Sequence, residues 1–351
     1  MLIKVSDPTL QTVFFSIIFL SLLLLSIRKN DTETFFSKEA TNQLKGFSIL
    51  AIIFSHIGYF LSSDTRFLYP FSVLAGVGVN LFLFLSGFGL TISQIKSPLS
   101  PLQFYQKRLF RLFIPMWTVI IIFFAMDFFI LNKSYPLSEI VQGFLGFFPR
   151  ADIFINLDSP LWYFTVIFFY YLIFPLVSFR KILFLSPLLV LFLSLFVLKL
   201  PLPIDKDVLK LYNLHFLAFP LGMLFGLSIQ HIKLKLNKFL KLFVFSICTI
   251  IFLYTSIHSG VSEGPKIEQI ISLITALSLA VIFAFSRFDF RLLSVFGIYS
   301  YEIYLLHWPI LSRYNLFLGI PPVLDIILNL GLILFLGYAL QKAIEKITRR
   351  F

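Results

Sequence analysis

The chain has a single cysteine, Cys248, so no disulfide can form within it and no cysteine-based metal cluster is available. Charge is also scarce. Asp, Glu, Lys and Arg make up 13% of the 351 residues, against about 25% in a soluble globule. There is no phosphate-cradling G-x-x-x-x-G-K-[ST] loop, no long repeat, and no loop long enough to be a soluble domain. The five histidines fall in different elements, none at ligand spacing with another, so no metal site is expected. Together these absences exclude a soluble enzyme, a disordered chain and a nucleic-acid binder.

What is abundant is apolar. Hydrophobic residues reach 58%, 47 residues are Phe, and mean hydropathy is +0.93. The net charge of +12 then reads as membrane topology rather than as the mark of a polyanionic partner. A helix needs about 20 apolar residues to cross a ~30 Å hydrocarbon core. On that basis spans are expected near 10–27, 44–63, 71–93, 112–131, 160–179, 182–200, 213–230, 242–258, 267–286, 292–312 and 323–343. The predicted fold is an all-α polytopic membrane protein of about eleven transmembrane helices, one domain over 1–351.

The first run has only Lys4 before it and no small-x-small cleavage site behind it, so it reads as an uncleaved helix. With the amino terminus outside, 20 of the 29 basic residues fall on the cytoplasmic side and 9 on the other. That bias predicts a cytoplasmic carboxyl terminus. In the 132–160 connection, GFLGFF is too short to cross and is expected to lie at the interface or dip back as a cap. The prolines of 94–108 are expected to bend that linker against the cytoplasmic surface.

Polar residues inside spans are costly, about 2.5–3.5 kcal/mol for a charge at mid-depth, and so they are informative. Lys45 marks the inner end of the second span, and His56 follows about 16 Å along a helix. An imidazole near the midplane suits a general base; a buried histidine bonded to a neighbouring helix is the alternative. In the third span, Gly76, Gly78, Gly87 and Gly89 permit close helix approach, while Asn80 and Ser86 can hydrogen-bond across it. Ser86 lacks the G-x-S-x-G frame of a nucleophile. Arg108 and Arg111, three apart and flanked by Lys107, share a helix face. They read equally as inner-surface anchors or as a phosphate clamp. The tenth span is the least lipid-like, interrupted by Ser300, Tyr301, Glu302, Tyr304 and His307. Tyr304, His307 and Trp308 fit an aromatic belt in part. Glu302 needs a buried base or a proton. Asp127 reads as reaching the outer headgroups, and His215 as interfacial.

The pieces TNQLKGFSILAIIFSHI, VNLFLFLSGFGL, YQKRLFRLFIPMW, SPLWYFTVIFFYYLIFP, FPLGMLFG and FGIYSYEIYLLHWPI run in order from residue 41 to 310. In this they resemble the membrane acyltransferase 3 family. The resemblance implies a family core over 41–343, with 10–27 an extra amino-terminal helix. It implies that an acyl group, commonly acetyl, moves from cytosolic acyl-CoA, a co-substrate and not a bound cofactor, to a hydroxyl of an extracytoplasmic or lipid-linked saccharide. The setting it implies is a bacterial cytoplasmic (inner) membrane. The family's essential histidine falls on His56 and its R-x-x-R pair on Arg108 and Arg111, linked to the acyl donor. Where members often carry arginine, this chain has Lys45, which keeps the charge without the bidentate fork. Trp162 and Tyr163 take the family's aromatic position beside the cavity, and Glu302 a polar position of the late span.

On this reading the CoA nucleotide meets Lys107, Arg108 and Arg111, and His56 takes the acceptor proton. Glu302 orients the imidazole, Tyr or Ser hydroxyls hold the oxyanion, and Ser86, Trp162, Tyr163, Tyr301, Tyr304 and His307 are expected to line the substrate cavity. A histidine acyl intermediate is the rival chemistry. A secondary transporter and a non-catalytic glycan export or assembly partner are the rival functions.

Overall fold

A computed structural model describes residues 3–29, 36–61, 66–150, 159–178, 183–231, 237–261, 264–286 and 288–348. Part of the 132–160 connection and several of the basic residues counted above, among them Arg180, Lys181, Lys233 and Lys235, lie outside them. The helices are α1 (Pro8–Leu25), α2 (Lys38–Ile57), α3 (Ala75–Lys96), α4 (Pro101–Leu131), α5 (Leu137–Leu145), α6 (Trp162–Val177) and α7 (Ser186–Val197). They continue with α8 (Lys206–His215), α9 (Ala218–His231), α10 (Lys238–Ser256), α11 (Pro265–Phe285), α12 (Arg291–Ile298), α13 (Ser300–Ser312) and α14 (Pro322–Thr348). The only regular strands among the described residues, β1 (Ile27–Lys29) and β2 (Phe288–Phe290), pair antiparallel.

The class is all-α and membrane-embedded. Among the described residues each expected apolar run contains helix, and seven helical stretches are long and apolar enough to cross a bilayer. The other runs fall short for visible reasons. α6 and α7 are apolar but short, α2 carries Lys38, Glu39 and Lys45, and the 292–312 run is split at Tyr299. The outer faces fit a lipid solvent. No residue of α10 is buried, and Phe239, Leu242, Ile250 and Leu253 are exposed along it. In water so continuous an apolar face would drive association.

α13 is the most enclosed of these helices, eleven of its thirteen residues being buried, and α2 has twelve of its twenty buried. Small residues let its neighbours approach. A Cβ at Gly46 would overlap the Leu293 carbonyl of α12, and one at Gly297 the Asn42 carbonyl of α2. The α3–α9 contact uses Gly87 and Gly222 in the same reciprocal way, against Phe219 and Phe84. Gly89, expected to serve close packing, faces open space. At the far end of α2, Gln43 donates to Asp289 (2.6 Å) and accepts from the Phe290 N–H (2.7 Å), tying the helix to β2.

Two boundaries differ from expectation in ways that matter for chemistry. α4 begins at Pro101, where Ser100 and Gln103 form a capping box, not at residue 112. Its 31 residues span about 46 Å, more than the hydrocarbon core, so Arg108 and Arg111 lie on a rigid helix, within its first three turns. α2 ends at Ile57, where the chain passes into a 3-10 turn over Gly58–Phe60. His56 therefore occupies its last turn rather than the middle of a run reaching residue 63.

Two helical runs are interrupted. α8 and α9 are separated at Phe216 and Leu217, and α12 and α13 at Tyr299. The Tyr170 hydroxyl donates to the freed Phe216 carbonyl (3.2 Å). Broken helices inside a membrane persist where they line a cavity.

The segment around GFLGFF forms the short α5 against α4, the Trp117 indole N–H donating to the Phe144 carbonyl (2.8 Å). Asp127 does not reach toward headgroups. It is fully buried, ion-paired to Arg313, and accepts from the hydroxyls of Tyr135 and Tyr314 (2.7 Å). Asp127→Ala leaves a mostly buried guanidinium without its carboxylate and should cost about 3–5 kcal/mol. The cost would be read as a lower unfolding midpoint in detergent, with Asp127→Asn milder. Equal midpoints for wild type and Asp127→Ala would remove the cluster from the list of what holds α4 to α13.

Candidate active site

Lys45, His56, Ser86, Arg108, Arg111, Trp162, Tyr163, Tyr301 and Tyr304 line one cavity of about 560 Å³. Sequence positions from 45 to 304 thus converge on a single space. At one end stand three cations. Arg108 donates from a terminal nitrogen to the Ser93 hydroxyl (3.1 Å), while its Nε is buried without a hydrogen-bond partner. Neither arginine nor Lys45 is ion-paired among the described residues. A buried charged donor with nothing to donate to is rare and calls for a ligand. For a guanidinium that ligand is an anion.

At the other end lies His56. Its Nδ1 is 2.9 Å from Nε2 of His307, with the two rings only 11° from coplanar. Trp308 packs edge-on against it, centroids 5.1 Å apart. The tautomers follow by elimination. His307 Nδ1 is 2.7 Å from the Tyr304 carbonyl, which can only accept, so that nitrogen carries the proton. Neutral His307 then offers only a lone pair at Nε2, and His56 must donate from Nδ1. His56 Nε2 is left as a lone pair, which is the state a general base needs.

Several hydroxyls are already committed. Tyr301 donates to the Leu112 carbonyl and Tyr304 to the Pro160 carbonyl (2.8 Å); both brace the wall. Ser86, Tyr163 and Tyr171 stand close together on the cavity wall. A hydroxyl can turn its proton to whatever acceptor it meets, so these three are donors within reach of a bound group.

Three expected site residues lie elsewhere. Glu302 is buried against α14, beside Gly337, and does not line the cavity. At 100° per residue it sits about 200° from Tyr304, on the opposite face of α13. Lys107 is exposed and off the cavity. His307 is fully buried behind His56 rather than in the cavity wall. It, and not Glu302, is the group in contact with the His56 ring.

The family model described as an acyltransferase domain matches residues 39–342. The chain belongs to the acyltransferase 3 family. It is therefore a membrane acyltransferase by family, with α1 outside the matched core. No curated protein and no solved structure matches the chain.

In this acyltransferase 3 chain His215, read above as interfacial, also lines the cavity, with Tyr171, Ser272 and Glu268. The missed signal was the Asn80–His215 pairing across 135 residues, which no local pattern displays. His307, as the group that holds the His56 tautomer, gives a specific expectation. His307→Ala should lower turnover by about ten- to a hundredfold, less than removal of a base itself, with the acyl-donor KM unchanged. His307→Gln, whose amide oxygen can replace Nε2 as acceptor, should recover most of it. Equal activity of the alanine variant and wild type would assign His307 to packing alone.

Proposed function

We propose that the chain moves an acyl group, acetyl by expectation, from cytosolic acyl-CoA to a hydroxyl of an extracytoplasmic or lipid-linked saccharide in a bacterial cytoplasmic membrane. The observation that carries this reading is a single cavity with unpaired cations at one end and an oriented imidazole lone pair at the other. The proposed topology has eleven crossings, with the amino terminus outside and the carboxyl terminus in the cytoplasm. The bias of basic residues toward one side supports it.

Lys45, Arg108 and Arg111 take the CoA phosphates, Arg111 being exposed at the mouth. The pantetheine arm, about 15–20 Å long, then spans the ~16 Å of helix from Lys45 to His56. His56 Nε2 accepts the proton of the acceptor hydroxyl as its oxygen attacks the thioester carbonyl. The oxyanion is met by a hydroxyl of Ser86, Tyr163 or Tyr171, all on the cavity wall. On collapse the C–S bond breaks, and the imidazolium returns its proton to the departing CoA thiolate. His307 holds the His56 tautomer throughout.

The test uses sealed vesicles exposing the cytoplasmic face, supplied with acetyl-labelled acetyl-CoA. Label should appear on membrane glycan only when the chain is present. Absence of transfer, or glycan movement without labelling, would replace the enzyme reading with an export or transport role.

A further inference from the structure

Beyond His56 the cavity has a second polar wall, formed by α3, α8 and α11, which the acyl-transfer chemistry above does not use. His215 Nδ1 lies 2.9 Å from Asn80 Oδ1, and Asn80 Nδ2 donates to Ser272 Oγ (3.1 Å). The Ser272 hydroxyl spends its own proton on the Glu268 carbonyl (2.8 Å), so it can only accept from Asn80. That sets the amide: Oδ1 faces His215 and accepts, and His215 donates from Nδ1. His215, Asn80 and Ser272 are all buried, and the relay leaves His215 Nε2 as a lone pair in a cavity-lining ring. A buried polar relay that ends on an unused acceptor is built for a donor from outside the chain.

The surroundings specify the kind of donor. The Trp162 indole lies 15° from parallel to the His215 ring, centroids 6.1 Å apart, presenting a flat apolar face beside the acceptor nitrogen. Glu268, also lining the cavity, is turned to the Gly260 N–H (2.8 Å) and adds acceptor character at the rim. The cavity's three cations belong to the other end: Lys45 on the first half of α2, Arg108 bonded to Ser93 near the end of α3, and Arg111 one turn further along α4. An aromatic face with hydrogen-bond acceptors and no cation suits a neutral ring whose C–H face stacks while its hydroxyls donate. A phosphorylated group would find no counter-charge there.

We infer that this lobe is the acceptor subsite and binds a neutral saccharide ring, stacked beside Trp162 with a hydroxyl donating to His215 Nε2. The inference rests on the acyl-transfer reading and adds to it the place and polarity of acceptor binding. His56 and His215 then hold two different hydroxyls of one sugar, one for reaction and one for position.

A steric variant tests the same space independently. A Cβ at Gly76 would sit 3.6 Å from Glu268 Oε1 and Ser272 Cβ and 3.7 Å from His215 Cε1, all ordinary contacts. Leucine there keeps its Cβ comfortably and sends the rest of the side chain into the lobe. The experiment uses the full chain in proteoliposomes with labelled acetyl-CoA. The acceptor probe, varied in amount, is the lipid-linked glycan fraction extracted from the membranes of host cells. His215→Ala and Gly76→Leu should each raise the half-saturating acceptor amount about tenfold, the effect of one lost or blocked hydrogen bond. The half-saturating acetyl-CoA concentration should stay within about twofold, which also reports an intact fold. His215→Gln, which restores an acceptor oxygen near the Nε2 position, should recover part of the loss. Unchanged acceptor saturation in both His215→Ala and Gly76→Leu would overturn the subsite, as would a shift confined to acetyl-CoA. If the wild-type chain transfers no acetyl at all, the acyl-transfer reading itself fails.

Discussion

Replacing His56 with alanine should lower acyl transfer by about 10²–10⁴-fold, the range a positioned general base contributes, while the protein still inserts and binds donor. The size of the loss follows from geometry. His56 Nδ1 is engaged by His307, and the other ring nitrogen opens on a cavity shared with Ser86, Tyr163 and the basic cluster. Among the described residues, the other imidazole lining that cavity is His215, whose neighbours are Asn80 and Trp162. Normal turnover in His56→Ala would end the general-base assignment and make His215 the next candidate. A labelled acyl group trapped on the wild-type protein in a single turnover would favour an acyl-histidine at the same nitrogen over direct transfer.

The second large effect is expected at the donor end. Removing both guanidiniums with Arg108→Ala and Arg111→Ala should raise the acetyl-CoA concentration needed for half-maximal transfer by about a hundredfold, since each charged hydrogen bond lost to a phosphate is worth about 1.5–3 kcal/mol. Lysine at both positions should recover only part of this, because a point charge replaces a bidentate fork. The orphaned Arg108 Nε makes that position the more sensitive of the two, since Arg111 is solvent-exposed. Steeper salt dependence of donor binding in wild type than in the double variant would accompany this result. An unchanged donor titration would leave both arginines as anchors at the inner membrane surface.

The two histidine relays share one design. In each, a backbone carbonyl at the far end of the relay sets the proton order, and the outermost imidazole is left with a lone pair at Nε2. The device needs no buried charge, which suits a membrane interior where a carboxylate would be costly to hold.

By itself the sequence determined that this is a membrane-embedded helical protein, where its apolar runs lie, and which few residues lipid packing leaves unexplained. Length, apolarity and the cost of burying a polar group are properties of a single helix, so each can be read locally. The cavity set Lys45, His56, Arg108 and Arg111 was legible for the same reason: a cation or imidazole stands out in such a run wherever the helix later packs. The tertiary structure alone decided between Glu302 and His307. Both interrupt the same helix, but one faces α14 and the other backs His56. It also drew Asn80 and His215 together over 135 residues and turned Asp127 inward to Arg313. Which face a polar side chain presents, and what it meets there, depends on helix rotation and on contacts between segments far apart in the chain, and no local run of residues carries that information.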